Sequence, residues 1–77
     1  MADVIIHSPM TGRVIEVLVA DGDEVGAGDV VVVIESMKME NEVICDVNGS
    51  VSVVHVEEEQ AVSEGDRLVE VEAAQGQ

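Results

Sequence analysis

The sequence predicts an all-β fold: two interlocked halves of about four short strands each, arranged as a flattened β-barrel or sandwich with an internal pseudo-twofold repeat. Three observations predict it. The first is the repeat. Sliding the chain by 37 positions, the separation of Gly12 from Gly49 (49 − 12), aligns residues 9–35 with residues 46–72 without a gap. Val14 meets Val51, Val17 meets Val54, Val19 meets Val56, Val25 meets Val62, Gly28-Asp29 meets Gly65-Asp66, Val32 meets Val69, and Glu35 meets Glu72. Val31 against Leu68 and Ile34 against Val71 keep apolar character. The second is composition: Phe, Tyr and Trp are absent, so Val and Ile must build the core, and their β-branching stiffens χ1 and favours strands. The third is the lack of a helical stripe. Residues 35–42 contain good helix formers but lie between β-branched runs.

The elements follow in order. Residues 3–7 form a strand, with Ile6 equivalent to Val43. Residues 12–19 form the next, with partial period-two alternation through Val14, Ile15, Val17 and Val19. Residues 20–24 contain Asp21-Gly22-Asp23 and form a turn, and residues 26–29 form a second, because glycine admits positive φ at little cost. The continuous apolar run 30–34 is that of a strand buried on both faces. Residues 39–45 follow as a strand. The second half repeats the pattern, with a strand at 49–56, turns at 57–60 and 63–66, and a strand at 68–72. Residues 73–77 read as a flexible polar tail. Barrel-like closure would protect the valine-rich edges from pairing with other chains.

Size and charge limit what such a chain can do. Its 77 residues make one domain, 1–77, near the lower end of what folds alone. That leaves little chain for a substrate cleft with its own catalytic groups, which favours a carrier or binding module over an enzyme. Seventeen acids against three bases give a net charge of −14, so nucleic acid and anionic lipid are poor partners, and self-repulsion predicts a fold stabilised by salt, as in a halophile. Cys45 is the single cysteine, which rules out an internal disulfide and suits a reducing, cytoplasmic setting. The N-terminal residues lack a secretory pattern, and no window has the roughly 20 apolar residues of a membrane span. Nothing indicates a coiled coil or second binding face, so a monomer is expected.

Lys38, the only lysine, lies between two methionines in Glu35-Ser36-Met37-Lys38-Met39-Glu40, where the first half hands over to the second. Its equivalent is Gln75, so the lysine is expected at the end of the molecule opposite the C-terminus. The junction lacks the Asn-Gly or Asp-Gly of a two-residue hairpin, and neither Pro nor Gly occurs between Asp29 and Asn48. A turn without its usual residues points to side chains chosen for something other than backbone comfort. An amine that another enzyme acylates must project freely, and a tight turn on a rigid sheet is a suitable mount. Met37 and Met39 supply an adaptable apolar collar in the acidic surroundings of Glu35, Glu40 and Glu42.

These residues resemble the biotinyl domain of biotin-dependent carboxylases and decarboxylases, the biotin carboxyl carrier protein of the biotinyl/lipoyl attachment family. The resemblance runs from Val4 to Val71 on Ser8-Pro9-Met10-Thr11-Gly12, Gly22-Asp23 with Val25, Gly28-Asp29, Gly49, Val62, Gly65-Asp66 and, above all, Glu35-Ser36-Met37-Lys38-Met39-Glu40-Asn41-Glu42. It implies two four-stranded sheets with the modified lysine at a hairpin tip. It further implies that Lys38 Nζ forms an amide with biotin, installed by biotin protein ligase, and that the domain swings carboxybiotin between a biotin carboxylase and a carboxyltransferase. Met37 and Met39 would be flanking recognition residues, with Glu35 a further one. Ser36 replaces the alanine usual before the first methionine. The link from Val17 to Val32 has no room for the protruding segment of some bacterial acetyl-CoA carboxylase carriers.

Two rival readings belong beside this one. A lipoyl domain shares fold and repeat, but usually has Asp before its lysine and a small residue after it, whereas both neighbours here are methionine. An unmodified β-barrel interaction module would leave Lys38 merely exposed. An active site or metal site finds little support: His7 and His55 align with Ile44 and Leu18, not with each other. Cys45 reads as a small buried hydrophobe, Glu57-Glu58-Glu59 as a solvated turn, and Arg13 and Arg67 as local partners for acids.

Overall fold

The computed structural model describes residues 3–74 as eight β-strands, with no helix among them. The strands are β1 (Asp3–His7), β2 (Gly12–Val17), β3 (Glu24–Val25), β4 (Val30–Ser36), β5 (Met39–Ile44), β6 (Gly49–Val54), β7 (Ala61–Val62) and β8 (Arg67–Ala73). They form two antiparallel four-stranded sheets, one in the order β1-β8-β6-β3 and the other β5-β4-β2-β7. Having no helix, the described residues include none long and apolar enough to cross a membrane.

The repeat exchanges the two sheets. Adding 37 to residue numbers carries β1, β2, β3 and β4 onto β5, β6, β7 and β8, so each sheet's strand order becomes the other's. Irregularities are carried over too. The register shift at Val14/Glu16 against β4 recurs at Val51/Val53 against β8, and that at Ile6/His7 on β1 matches the shift at Val30/Val32 on β4. Each sheet draws two strands from each half, so neither half owns a complete layer.

Aliphatic side chains fill the space between the layers. Val14, Val31, Val32, Ile34, Leu68, Val69, Val71 and Cys45 are fully buried, joined by Ile6, Val25, Val43, Val51, Val56 and Val62. Each such branched side chain contributes about 1.5–3 kcal/mol on leaving water. The register shift beside Val31 breaks in–out alternation, which accounts for two successive valines, Val31 and Val32, both being buried.

Two glycines set how closely strands approach. A Cβ on Gly12 would collide with the carbonyl oxygen of Glu35, and one on Gly49 would collide with that of Glu72, the equivalent contact in the other sheet. The four connecting turns share one device. The side chains of Asp23, Asp29, Gln60 and Asp66 accept hydrogen bonds from the backbone N–H three residues earlier, at 2.8–3.0 Å.

The structure corrects several expectations. Of the two expected forms the layers take the flattened sandwich, without the barrel-like closure: no ladder joins the sheets, and β1, β3, β5 and β7 remain edges. Protection comes instead from brevity at β3 and β7, which have two residues each. The strands expected over 12–19 and 49–56 end at Val17 and Val54, beyond which single bonds persist from Leu18 N–H to Val31 and from His55 N–H to Leu68. Glu24, read as turn, begins β3 because its stretch lies against β6. Ala73, assigned to the tail, ends β8, and Ala74 N–H donates to Asn48 O at 2.7 Å. The remainder of that tail, including Gln75 and its equivalence to Lys38, lies outside the described residues.

Candidate functional site: the β4–β5 hairpin

β4 and β5 are joined by two residues, Met37 and Lys38, closed by the cross-strand pair Ser36 and Met39. Met37 has φ 55° and Lys38 φ 64°. Positive φ at both central positions is the signature of a type I′ turn, whose twist matches that of the flanking strands. L-residues with a Cβ pay roughly 1–2 kcal/mol each for the left-handed region. The chain therefore forms this hairpin without the glycine or asparagine that would ease it. The long ladder below compensates, pairing Glu35 with Glu40, Ile34 with Asn41 and Val33 with Glu42. Asn41 braces the base from inside: its amide donates to Met39 O at 3.2 Å and to Ile34 O at 3.5 Å.

The side chains of the turn stand in solvent. Met37 is 91% exposed, Met39 65% exposed, and Lys38 is exposed between them. Among the described residues, no carboxylate lies within ion-pairing distance of Lys38 Nζ. The amine is uncommitted. Glu35, the fourth residue singled out from the sequence, sits at the hairpin base, where Arg13 Nη2 donates to its Oε1 at 3.1 Å. Arg13 Nη1 lies 3.7 Å from Glu59 Oε1, so one guanidinium links the hairpin base to a turn of the second half. These pairs are exposed and contribute roughly 0–1 kcal/mol each. An open groove lined by Met10, Glu16, Val33, Glu40, Glu42 and Ile44 runs beside the hairpin along the second sheet.

Other candidate residues lie apart from this turn. His7 Nδ1, on β1, is 2.9 Å from Gly65 O, and His55 Nε2, just beyond β6, is 2.6 Å from Glu70 Oε2. Cys45 is buried, with its Sγ donating to Val47 O at 3.1 Å. Arg13 pairs as expected, whereas Arg67 has no carboxylate within ion-pairing distance among the described residues. No group of three or more His, Cys, Asp or Glu there could hold a metal ion. Sequence reasoning missed Asn41 as a brace and Glu59 as a neighbour of the hairpin base. The repeat held a signal for the second: Glu59 falls where the first half has Gly22, and both have positive φ, 76° and 91°.

A primary amine raised on a stiff hairpin, flanked by exposed apolar side chains and unclaimed by any carboxylate of the described residues, is chemically able to take a group joined through an amide. The site has room for such a group because residues 37–40 are all exposed among the described residues. Fold and site together define a small all-β carrier domain. A sequence model of the biotin/lipoyl family, described as "Biotin-requiring enzyme", matches residues 4–71. The chain belongs to this family, and biotin is the cofactor of its class.

Among its relatives is the biotin carboxyl carrier protein of Streptococcus mutans, 41% identical over 64 residues, covering 83% of this chain and 49% of that protein. A "Biotinylated protein TB7.3 homolog" from Mycobacterium leprae is 41% identical over 63 residues, covering 82% of this chain and 89% of that one. The Kluyveromyces lactis urea carboxylase structure contains the same fold, with a TM-score of 0.85 and 32% identity over 92% of this chain and 6% of that one. The chain thus spans about half the first relative and a small part of the carboxylase.

Proposed function

We propose that Lys38 Nζ is the atom to which biotin is joined, and that the domain carries it between a biotin carboxylase site and a carboxyltransferase site. The observation that carries this reading is the exposed, uncommitted Lys38 in a two-residue turn with left-handed backbone. In the attachment step, Nζ attacks the carbonyl carbon of biotinyl-adenylate held by a biotin protein ligase. The amide bond forms, the acyl–phosphate bond breaks, AMP leaves, and the amine surrenders a proton. When bound, biotin supplies the carboxyl-carrying chemistry. The chain's residues hold the tether out, and the flanking Met37 and Met39 give a visiting active site apolar surface to grip. Glu35, steadied by Arg13, offers a carboxylate at the hairpin base for recognition. Tethering raises the effective concentration of the ring at both partner sites.

The domain itself is a non-enzymatic, monomeric carrier working in the cytoplasm. The test is intact mass after co-expression with a biotin protein ligase: one biotinyl group per chain is expected, lost in Lys38→Arg. A lipoyl adduct instead, or biotin retained by Lys38→Arg, would overturn the reading. Light scattering on the purified chain checks the monomer.

A further inference from the structure

Four methionines occur in the chain, and two of them stand exposed at the turn. Met37 is 91% exposed and Met39 65%, whereas Met10 is half-buried and packs against the core. The one thiol, Cys45, is fully buried. Among the described residues, the exposed sulfur is therefore concentrated on either side of Lys38. The backbone also fixes this exposure: Met37 occupies the left-handed first position of a two-residue loop, beyond the last cross-strand pair. Moving Met37 into the sandwich would require a change of turn type.

We propose that Met37 and Met39 are a paired, reversible oxidation site that governs access to Lys38, an inference resting on Lys38 being the acylated amine. The oxidant is a neutral hydroperoxide. With a net charge of −14, the chain repels anionic oxidants, while an uncharged peroxide reaches the turn unopposed. Each thioether sulfur attacks one peroxide oxygen, the O–O bond breaks, and an S–O bond forms. Sulfur loses two electrons, and the hydroperoxide is reduced to an alcohol, or to water where it is hydrogen peroxide. A thiol-dependent sulfoxide reductase reverses the change, with two thiols giving a disulfide and water. The product is polar, hydrated and chiral, so a surface suited to an apolar active-site mouth becomes one that must be desolvated at a cost. Attachment of an acyl group to Lys38 then slows, although Nζ itself is unaltered.

The experiment treats the unmodified chain with hydrogen peroxide and maps oxygen addition by peptide mass. It then measures the initial rate of labelling by a biotin protein ligase, with and without repair by sulfoxide reductase. Met37 and Met39 should oxidise well ahead of Met10, and the labelling rate should fall about tenfold and recover on repair. In Met37→Leu/Met39→Leu, peroxide should leave the variant's labelling rate unchanged, whatever its untreated value. Met10 oxidising as fast as Met37, or full-rate labelling with both sulfoxides present, overturns the proposal. So does a rate that repair fails to restore. The oxidation map needs no ligase, so failure of the untreated chain to label at Lys38 would count against the attachment reading and would be distinguishable from a failure here.

Discussion

Ser8 and Cys45 occupy equivalent positions in the two halves and make equivalent hydrogen bonds. Ser8 Oγ donates to Met10 O at 2.6 Å, and Cys45 Sγ donates to Val47 O at 3.1 Å, both from buried sites two residues before the acceptor. The backbones agree as well. Ser8 N–H donates to Asp66 O and Cys45 N–H to Asp29 O, at 2.7 and 2.8 Å. Cys45 is therefore more than the small buried hydrophobe its sequence context suggests; it caps a strand end. Cys45→Ser should retain the cap and change stability by less than about 1 kcal/mol, whereas Cys45→Ala, which forfeits the donor, should cost about 1–2 kcal/mol. Urea denaturation of both variants checks the order.

The glycine pair offers a controlled comparison. Gly12→Ala and Gly49→Ala each drive a methyl into a carbonyl oxygen, of Glu35 and Glu72 respectively, and each should destabilise by about 1–3 kcal/mol. Only Gly12 presses on the strand that leads into the Lys38 turn. Labelling by a biotin protein ligase, measured well below both melting temperatures, should therefore slow in Gly12→Ala and not in Gly49→Ala.

Glu59 holds φ 76° where its equivalent, Gly22, holds 91°. A side chain there is strained, and the ion pair that it makes with Arg13 is long and exposed. Glu59→Gly should raise stability by about 0.5–1 kcal/mol, a melting-temperature gain of a few degrees for a domain this size. Differential scanning calorimetry reads this directly.

Lys38→Arg changes nothing the fold uses, since Nζ has no ion-pair partner among the described residues. Its stability should stay within about 0.5 kcal/mol of the parent while labelling disappears. Thermal melts alongside streptavidin blotting separate the two effects.

The charge imbalance gives a salt prediction. With a net charge of −14 and, among the described residues, arginine ion pairs confined to the exposed Arg13 contacts, repulsion between carboxylates outweighs attraction. The melting temperature should rise by several degrees between about 0.01 and 1 M salt, as the Debye length falls from roughly 30 to 3 Å. A flat profile would show that the acids are too dispersed to matter.

Most of this architecture is legible in the sequence because the repeat is so complete. Aligning Val14 with Val51 and Gly28-Asp29 with Gly65-Asp66 already pairs the strands that turn out to be equivalent. The long ladders β4–β5 and β2–β4 fall where the apolar runs are. The two-residue strands β3 and β7 were not legible, since a pair such as Ala61-Val62 becomes a strand only when a neighbour supplies the ladder. The open edges were not legible either, because alternation within a strand says nothing about whether its sheet closes. At the hairpin, Lys38 and its methionines were identifiable from residue type and position. The left-handed backbone of Met37 and Lys38 was hidden, because neither is a residue that seeks it.

The exchange of layers by the repeat has a consequence for how such a molecule could arise and how it can be cut. Because each sheet takes its two inner strands from one side of the lysine turn and its two edge strands from the other, a half-length peptide would lack two strands from both layers. Two identical half-length peptides, however, could complete each other's layers as an intertwined homodimer. The present chain has the form of such a pair fused by gene duplication, with the linker that joined the copies becoming the turn that presents the amine.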